Sequence, residues 1–321
     1  MCEAGDLKGL SLRVFIVNQN HLLAAVTDSG SVRFLIETKS FRKIMSDTTL
    51  SASLSKPRGS LRVVTLNLWG QQGNWEERRL VLIEGLRELN PDLVAFQEAR
   101  KTETYDQTVD VLGSGYHVVY QTERDAHGTG CSIASRWPPG NVRELDLHLT
   151  PRTVDFPCAT LVAEINAPEP FGRLLFANHF PNYQLDLELE RELQTVAAAK
   201  FIEDLVGQRN LHVILVGDLD ATPEAASIRF WCGRQSLGGM SVYYRDAWAS
   251  AHPGEPGYTF SERNPLRAAV WDESRRIDYI FVRGGHKGTT LNIAACAQIF
   301  NEPVEGVWTS DHFGVVADLT V

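Results

Sequence analysis

The sequence predicts an α/β protein built from two packed β-sheets with helices on the outside. Short apolar runs rich in β-branched residues recur from Leu61 onward, and helical patterns separate only some of them. Consecutive runs between about residues 116 and 180 have no helix between them, which calls for antiparallel pairing. A doubly wound sheet of strict βαβ units is therefore not expected.

In order, the expected strands are LRVVTLNLW, DLVAFQE, GYHVVYQ, CSIASRW, ATLVAEINA, RLLFANHF, HVILVGDLD, RRIDYIFVRG and FGVVADLTV. Each is short, apolar and flanked by turn-forming residues. NWEERRLVLIEGLRELNP reads as a helix with Leu80, Ile83, Leu86 and Leu89 on one face, stopping at Asn90-Pro91. DLELERELQTVAAAKFIEDLVG reads as a second, with Leu189, Leu193, Val196, Phe201 and Leu205 facing inward and Gly207 ending it. ATPEAASIRFW reads as a short helix with proline near its first turn.

Residues 1–60 differ from the rest. They hold two β-like runs, LRVFIV and SVRFLIE, and then SDTTLSASLSKPRGS, which reads as a linker. The expected organisation is an appendage and linker over 1–60, partly disordered or forming a small β-hairpin, followed by a catalytic domain over 61–321. The LSLRVFIV segment is interrupted by Asn18, Gln19, Asn20 and His21 and preceded by Glu3 and Asp6, so a signal peptide is not expected and the location reads as cytoplasmic. No apolar run is long enough to span a membrane.

The net charge of −9 argues against a surface that coats polyanions, because phosphate-dominated binding requires Lys and Arg. It does not exclude a nuclease, since bound divalent cations supply positive charge locally. Five cysteines, an odd number without a C-x-x-C pair, read as reduced thiols rather than a disulfide framework or zinc site.

The chemistry lies at the strand ends. Six separate apolar runs each present an Asn, Asp, Glu or His at one terminus: Asn67, Glu98, His179, Asp218, Asp278, and the Asp311-His312 pair. Singly, each has a plain structural explanation. Asn67 suits a turn, Glu98 a solvated loop, His179 a hydrogen-bonded core histidine, Asp278 a surface ion pair with Arg275 or Arg276, and Ser310-Asp311-His312 a cap. Six repetitions of one context point instead to a shared pocket. Such a cluster suits phosphodiester hydrolysis. A hard divalent metal takes oxygen ligands, a carboxylate or histidine activates water, and an imidazole held by a second carboxylate binds developing negative charge.

The motifs TLNLWG, VAFQE, FANHF, VGDLDATPE, RIDYIFV and SDHFGVVADL, in this order from Leu61 to Val321, resemble the endonuclease/exonuclease/phosphatase superfamily of metal-dependent phosphodiesterases. That superfamily includes deoxyribonuclease I, abasic-site endonucleases, deadenylases, neutral sphingomyelinases and inositol polyphosphate 5-phosphatases. The resemblance implies a four-layer α/β sandwich of two mixed sheets flanked by helices, and dependence on Mg²⁺ or Mn²⁺. It implies Glu98 as the main metal ligand, with Asn67 beside the metal and Asp311 as a further ligand. It implies His312 on the scissile phosphate, Asp278 orienting His312, and Asp218 positioning or deprotonating the attacking water. His179 resembles the second active-site histidine of the deoxyribonuclease, sphingomyelinase and deadenylase branches. Abasic-site endonucleases usually carry a tyrosine-containing motif there, so His179 tilts the expectation away from DNA repair.

Asp220 departs from the family pattern, which is Gly-Asp-x-Asn. If the strand geometry continues, Asp218 and Asp220 share a face. An ionised Asp220 only accepts hydrogen bonds and cannot replace an amide donor. A protonated Asp220, a second metal at Asp220, and weakened catalysis are the three readings, of which a second metal is the expectation adopted.

The expected function is a nuclease-like phosphodiester hydrolase. Phospholipid or small-molecule phosphoester hydrolysis is the alternative, and a silent binding module a third reading that the complete acid and histidine set disfavours. Trp231, Tyr243, Tyr244, Trp248, Phe260 and Trp271 are candidate groove or stacking residues, though most read as packing. Arg263, Arg267, Arg275 and Arg276, near a segment resembling the family's variable loop, are candidate phosphate contacts.

Overall fold

The computed structural model describes residues 11–18, 21–28 and 31–37 as backbone strands, and 56–209, 211–267 and 273–321 with their side chains. The chain divides into two compact units, Met1–Ser55 and Lys56–Val321. In the first, β1 (Ser11–Asn18), β2 (His21–Asp28) and β3 (Ser31–Glu37) pair antiparallel in sequence order. The middle strand was not expected from the sequence. Most of the Ser/Thr-rich linker lies outside the described residues.

The second unit holds two mixed sheets. One has the order β15-β16-β4-β5-β7-β6, and the other β12-β13-β11-β10-β9-β8, with the short β14 (Gly288–Thr289) paired to β13. In the first sheet β4 (Leu61–Asn67) and β5 (Leu93–Arg100) are parallel, and β6 (His117–Tyr120), β7 (Thr129–Ser135), β15 (Asn292–Ile299) and β16 (Gly314–Thr320) join antiparallel. In the second, β10 (Arg173–Phe180) and β11 (His212–Asp218) are parallel, and β8 (Pro139–Asp146), β9 (Ala159–Asn166), β12 (Tyr244–Asp246) and β13 (Asp278–Gly285) are antiparallel to their neighbours. The helices are α1 (Trp75–Leu89), α2 (Gln107–Leu112), α3 (Glu188–Val206), α4 (Ala226–Trp231) and α5 (Ala247–Ala251). This is the four-layer α/β sandwich.

Alternation along the strands divides the core in two. Val63, Leu93, Leu161, Leu174, Phe176, Ile214, Val216, Ile280 and Val315 meet between the sheets. Val162, Leu175, Ala177, Val213, Leu215, Tyr279 and Phe281 turn to the other side, against Ala198, Ile202 and Trp231 of the helices. Arg62 and Asp318 form a bidentate pair (2.8 and 2.7 Å) that satisfies two buried charges between adjacent strands.

The helix faces differ from the expectation. On α1 the buried residues include Trp75, Arg78, Leu82, Leu86 and Leu89, whereas Leu80 is exposed. On α3, Leu189 and Leu193 are exposed, and the buried face is Arg191, Gln194, Thr195, Ala198, Ala199 and Ile202. Small and hydrogen-bonding side chains let this helix lie close to the sheet, while the expected Val196, Phe201 and Leu205 pack partly buried at the edge of the core. The cysteines at 131, 158, 232 and 296 are free thiols. Among the described residues, no helix is long and apolar enough to cross a membrane.

Candidate active site

The site grows out of the inter-sheet face. Asn67 and Asp218 are the last residues of β4 and β11, and Asp278 is the first of the antiparallel β13, so all three fall at one end of the apolar inter-sheet face carried by Val63, Ile214, Val216 and Ile280. Antiparallel register sets Asp218 opposite Asp278. Asn67 Nδ2 donates to Glu98 Oε1 and to Asp218 Oδ2, both at 2.9 Å, which links the two sheets. Below them Gln97 Nε2 donates to Asn178 Oδ1 (2.7 Å) and Asn178 Nδ2 to the Phe96 and Ser132 carbonyls, a buried cross-sheet bridge.

Glu98 reaches this cluster because β5 bulges. Gln97 occupies the inter-sheet face, so simple alternation would send Glu98 away from it. Pairing with β7 skips between Phe96 and Ala99, and Glu98 takes φ 50°. The extra residue turns the carboxylate towards Asn67. Burial, and secondarily the nearby Asp311 carboxylate, push Glu98 up to about 7.

Asp311 and His312 precede β16. Ser310 Oγ donates to the Asn67 carbonyl (2.7 Å), Asn264 Nδ2 to the Ser310 carbonyl (2.8 Å), and the Phe313 amide to the Thr259 carbonyl (2.7 Å), which pin this loop to β4 and to the 259–264 segment. His312 Nδ1 lies 3.0 Å from Asp278 Oδ2, and Nε2 lies 3.7 Å from Asp218 Oδ2. Burial opposes a charged imidazole, but the carboxylates of Asp278, Asp218 and Asp311 outweigh it and hold His312 well above the ordinary histidine range. Burial and the charge of Asp220 drive Asp218 above the usual carboxylate range, against the opposing pull of His312. Asp311 is raised, mainly by burial.

Asp220 reaches the cleft by a turn. The strand ends at Asp218, Asp220 adopts φ 50°, and its amide donates to Asp218 Oδ1 (3.3 Å). Continued strand geometry, the basis of the same-face expectation, does not hold; the left-handed turn brings the carboxylate back instead. Burial raises Asp220 to about 6, while His312, Arg275 and Arg191 pull it down. Its carboxylate has no hydrogen-bond partner among the described residues.

Glu98, Asp218, Asp220, Asp311 and His312 line a cleft of about 720 Å³, together with Trp69, Arg100, Phe156, Tyr183, Phe260 and Arg275. Asn67 and Asp278 support it from beneath. His179 is not among the lining residues. Asn178 uses the inter-sheet face, so alternation sends His179 to the helix side, where Nδ1 pairs with Thr160 Oγ1 (2.7 Å) and the ring meets Trp231 edge-on. Burial lowers His179 to about 3. The unfolded chain takes up this proton below about pH 6.5 and the folded chain only near 3. Stability contributed by neutral His179 is therefore full above 6.5 and lost as pH falls through that window. A His179→Gln variant is expected to lose stability less steeply than wild type between pH 6 and 4, by about 1 kcal/mol per pH unit, in urea titrations at each pH. Parallel curves would contradict the argument.

Of the candidate aromatics, Trp231 and Tyr244 are core, Phe260 packs on His312, Tyr243 is exposed, and Trp271 lies outside the described residues. Arg263 pairs with Glu302, and Arg276 with Asp246 (2.7 Å). Arg78 was not anticipated. Its buried guanidinium donates to the Thr309 carbonyl (2.9 Å), stacks over Trp69 and Trp75, and lies close enough to Asp311 and Glu98 to feel their charge, while burial lowers it to about 10. The available signal was an arginine four residues before Leu82 and eight before Leu86, on the buried stripe.

Among the described residues, Asp218, Asp278 and His312 bring one ligand atom each within 4.8 Å of one another. His312, however, commits Nδ1 to Asp278, and the carboxylates around it favour the protonated ring, which offers a metal no lone pair. Glu98 and Asp311 offer the oxygen donors that a hard cation prefers, and their mutual repulsion is what a cation relieves.

Residues 64–312 match the family described as the Endonuclease/Exonuclease/phosphatase family. No curated protein sequence matches the chain. Among solved structures, D. rerio TDP2 complexed with a single-strand DNA product is similar at 20% identity and TM-score 0.67, covering 82% of this chain and 99% of that one. The human Nocturnin catalytic domain with bound sulfate is 18% identical with TM-score 0.64, covering 83% and 96%. An endonuclease/exonuclease/phosphatase from Bacteroides vulgatus is 17% identical with TM-score 0.62, covering 82% and 99%. At these identities the likeness establishes the fold.

Proposed function

Because the chain belongs to the endonuclease/exonuclease/phosphatase family, and is thereby a hydrolase of phosphoester bonds, we propose that it cleaves phosphodiesters in single-stranded nucleic acid. The observation that carries this is the His312 imidazole, held between Asp278 and Asp218 in a carboxylate-lined cleft.

Glu98 and Asp311, with Asn67 beside them, would hold a divalent cation, Mg²⁺ or Mn²⁺. When bound, that cation neutralises charge on the phosphoryl oxygens and stabilises the leaving oxygen. Asp218 positions and deprotonates the attacking water. Asn67 fixes one of its oxygens, and its raised proton affinity makes it a stronger base than an exposed aspartate. His312 donates Nδ1–H to Asp278 and keeps Nε2–H for the phosphoryl oxygen on which negative charge develops, because 3.7 Å to Asp218 is beyond a hydrogen bond. His179 is a positioning residue, packed behind the end of β11. Asp220, an acceptor without a hydrogen-bond partner among the described residues, supports a second cation in the cleft.

The substrate class rests on the walls. Trp69, Phe156, Tyr183 and Phe260 offer flat apolar faces, and Arg100 and Arg275 offer cations. The similar TDP2 structure holds a single-strand DNA product.

The test is turnover of bis-p-nitrophenyl phosphate with Mg²⁺ and Mn²⁺, followed by a panel of single- and double-stranded DNA, RNA, sphingomyelin and phosphoinositides. Metal-stimulated turnover abolished by Glu98→Ala, with preference for single strands, is expected. Preference for sphingomyelin would refute the substrate, and turnover indifferent to Glu98→Ala the mechanism. Binding of a single Mn²⁺ in the presence of a non-hydrolysable phosphodiester would refute the second cation.

A further inference from the structure

A second cavity, of about 360 Å³, lies among α4, β12, α5 and the residues leading into β13, and shares no lining residue with the catalytic cleft. Four arginines, Arg229, Arg234, Arg245 and Arg276, line it, against one acidic residue, Asp246. Asp246 is already paired with Arg276 at 2.7 Å, both side chains being buried. The other three arginines have no carboxylate partner among the described residues. Arg229 donates to Gln235 Oε1 and to the Glu224 carbonyl. Arg245 Nε donates to Ser250 Oγ at 2.9 Å. The Arg234 amide donates to the Arg229 carbonyl at 2.8 Å, and its guanidinium makes no hydrogen bond or ion pair with a described residue. Glu192 is the further carboxylate that feels Arg229.

Three unneutralised guanidiniums around one concavity repel one another, and in a chain of net charge −9 they stand out from an otherwise acidic protein. A bound anion relieves that repulsion. A phosphate monoester suits it better than a carboxylate, because it carries nearly two charges and three acceptor oxygens that match planar guanidinium donors. Tyr243, 41% exposed, adds a flat apolar face to the same wall. The volume falls at the small end of ligand pockets.

We propose that this cavity binds a small organic phosphate, of the size and chemistry of a nucleoside monophosphate, at a site separate from catalysis. The guanidiniums take the phosphate and Tyr243 takes the base.

The test uses the full chain, titrated with AMP and with inorganic phosphate by calorimetry and by amide chemical-shift mapping. AMP is expected to shift the amides of Gly233, Arg234, Tyr243 and Arg245. The double variant Arg229→Ala/Arg234→Ala is expected to weaken both probes about tenfold or more, while bis-p-nitrophenyl phosphate turnover and the melting temperature stay at wild-type values. Tyr243→Ala should weaken AMP and leave inorganic phosphate unchanged; weakening of neither would remove the nucleoside from the assignment. Shifts confined to the surroundings of Glu98 and Asp218, undiminished affinity in the double variant, or no binding at millimolar AMP would overturn the site. So would a loss seen only with a single-stranded oligonucleotide, which would assign the arginines to a strand held in the catalytic cleft.

Discussion

His312→Ala is expected to lower kcat/KM on an activated phosphodiester by about 10³-fold, the cost of losing one preorganised cationic donor to developing charge. Asp278→Asn keeps the shape of the side chain but removes the negative charge beside Nδ1 of His312 and puts an amide that can face the ring with either its oxygen or its NH2 in place of the carboxylate. A loss of about 10²-fold is expected, because the ring loses both its orientation and the nearest carboxylate that keeps it charged. The two residues act as one unit, so the double variant should be little worse than His312→Ala alone. Multiplicative losses would show that Asp278 works independently of the histidine. Because His312 is 6% exposed and its removal leaves buried carboxylates without a counter-charge, each variant's urea midpoint is measured beside its kinetics. A rate loss with an unchanged midpoint is the expected pattern for Asp278→Asn.

The second large effect is structural. Gly217, just before Asp218, adopts φ 151°, and a Cβ built there would overlap the carbonyl oxygen of His179 on the paired strand β10. The obstacle is backbone in a parallel ladder, which cannot swing aside as a flexible side chain would. Gly217→Ala combines a disfavoured backbone conformation with overpacking, and should destabilise the protein by about 4 kcal/mol or more, seen as lost soluble yield or a much lower urea midpoint. A midpoint within about 1 kcal/mol of wild type would show that β10 and β11 separate more easily than their register implies. This glycine is also what lets the strand carry Asp218 so close to its neighbour.

Much of the site was legible because strand ends are local features. An apolar run that ends in Asn67 or Asp218, or begins with Asp278, needs only alternation to be placed, since Val63, Val216 and Ile280 at even spacing from them face the core. Alternation also decides where His179 goes. His179 follows Asn178, and once Asn178 faces Gln97 between the sheets, His179 must face Trp231 and the helices. Nothing in FANHF says which of the two neighbours turns inward; pairing with β9 and β11 decides it. The helix stripes were only partly legible, with Leu86 and Leu89 inward as expected but Leu80, Leu189 and Leu193 exposed. A burial pattern carried by Arg78 and Gln194 is not marked by leucines, and those polar groups are buried because the Thr309 and Leu147 carbonyls, far off in sequence, accept from them and the Asn182 amide donates to Gln194.

By itself the sequence determined the fold class, the apolar strands that carry the site and the chemical inventory at their ends, because periodicity and residue type are written along the chain; β8, β12, β14 and β15 emerged only in the structure. Only the tertiary structure decided which members of that inventory meet. Glu98 joins the cluster through a bulge, Asp220 through a left-handed turn, and Arg78 through its seat beneath the Asp311 loop. Each depends on pairing between segments far apart in sequence, where a shift of one residue exchanges the two faces of a strand. The arginine-lined cavity is the clearest case. Arg229, Arg234, Arg245 and Arg276 are dispersed along the chain and line one cavity only in the folded structure, where β12 pairs with β13.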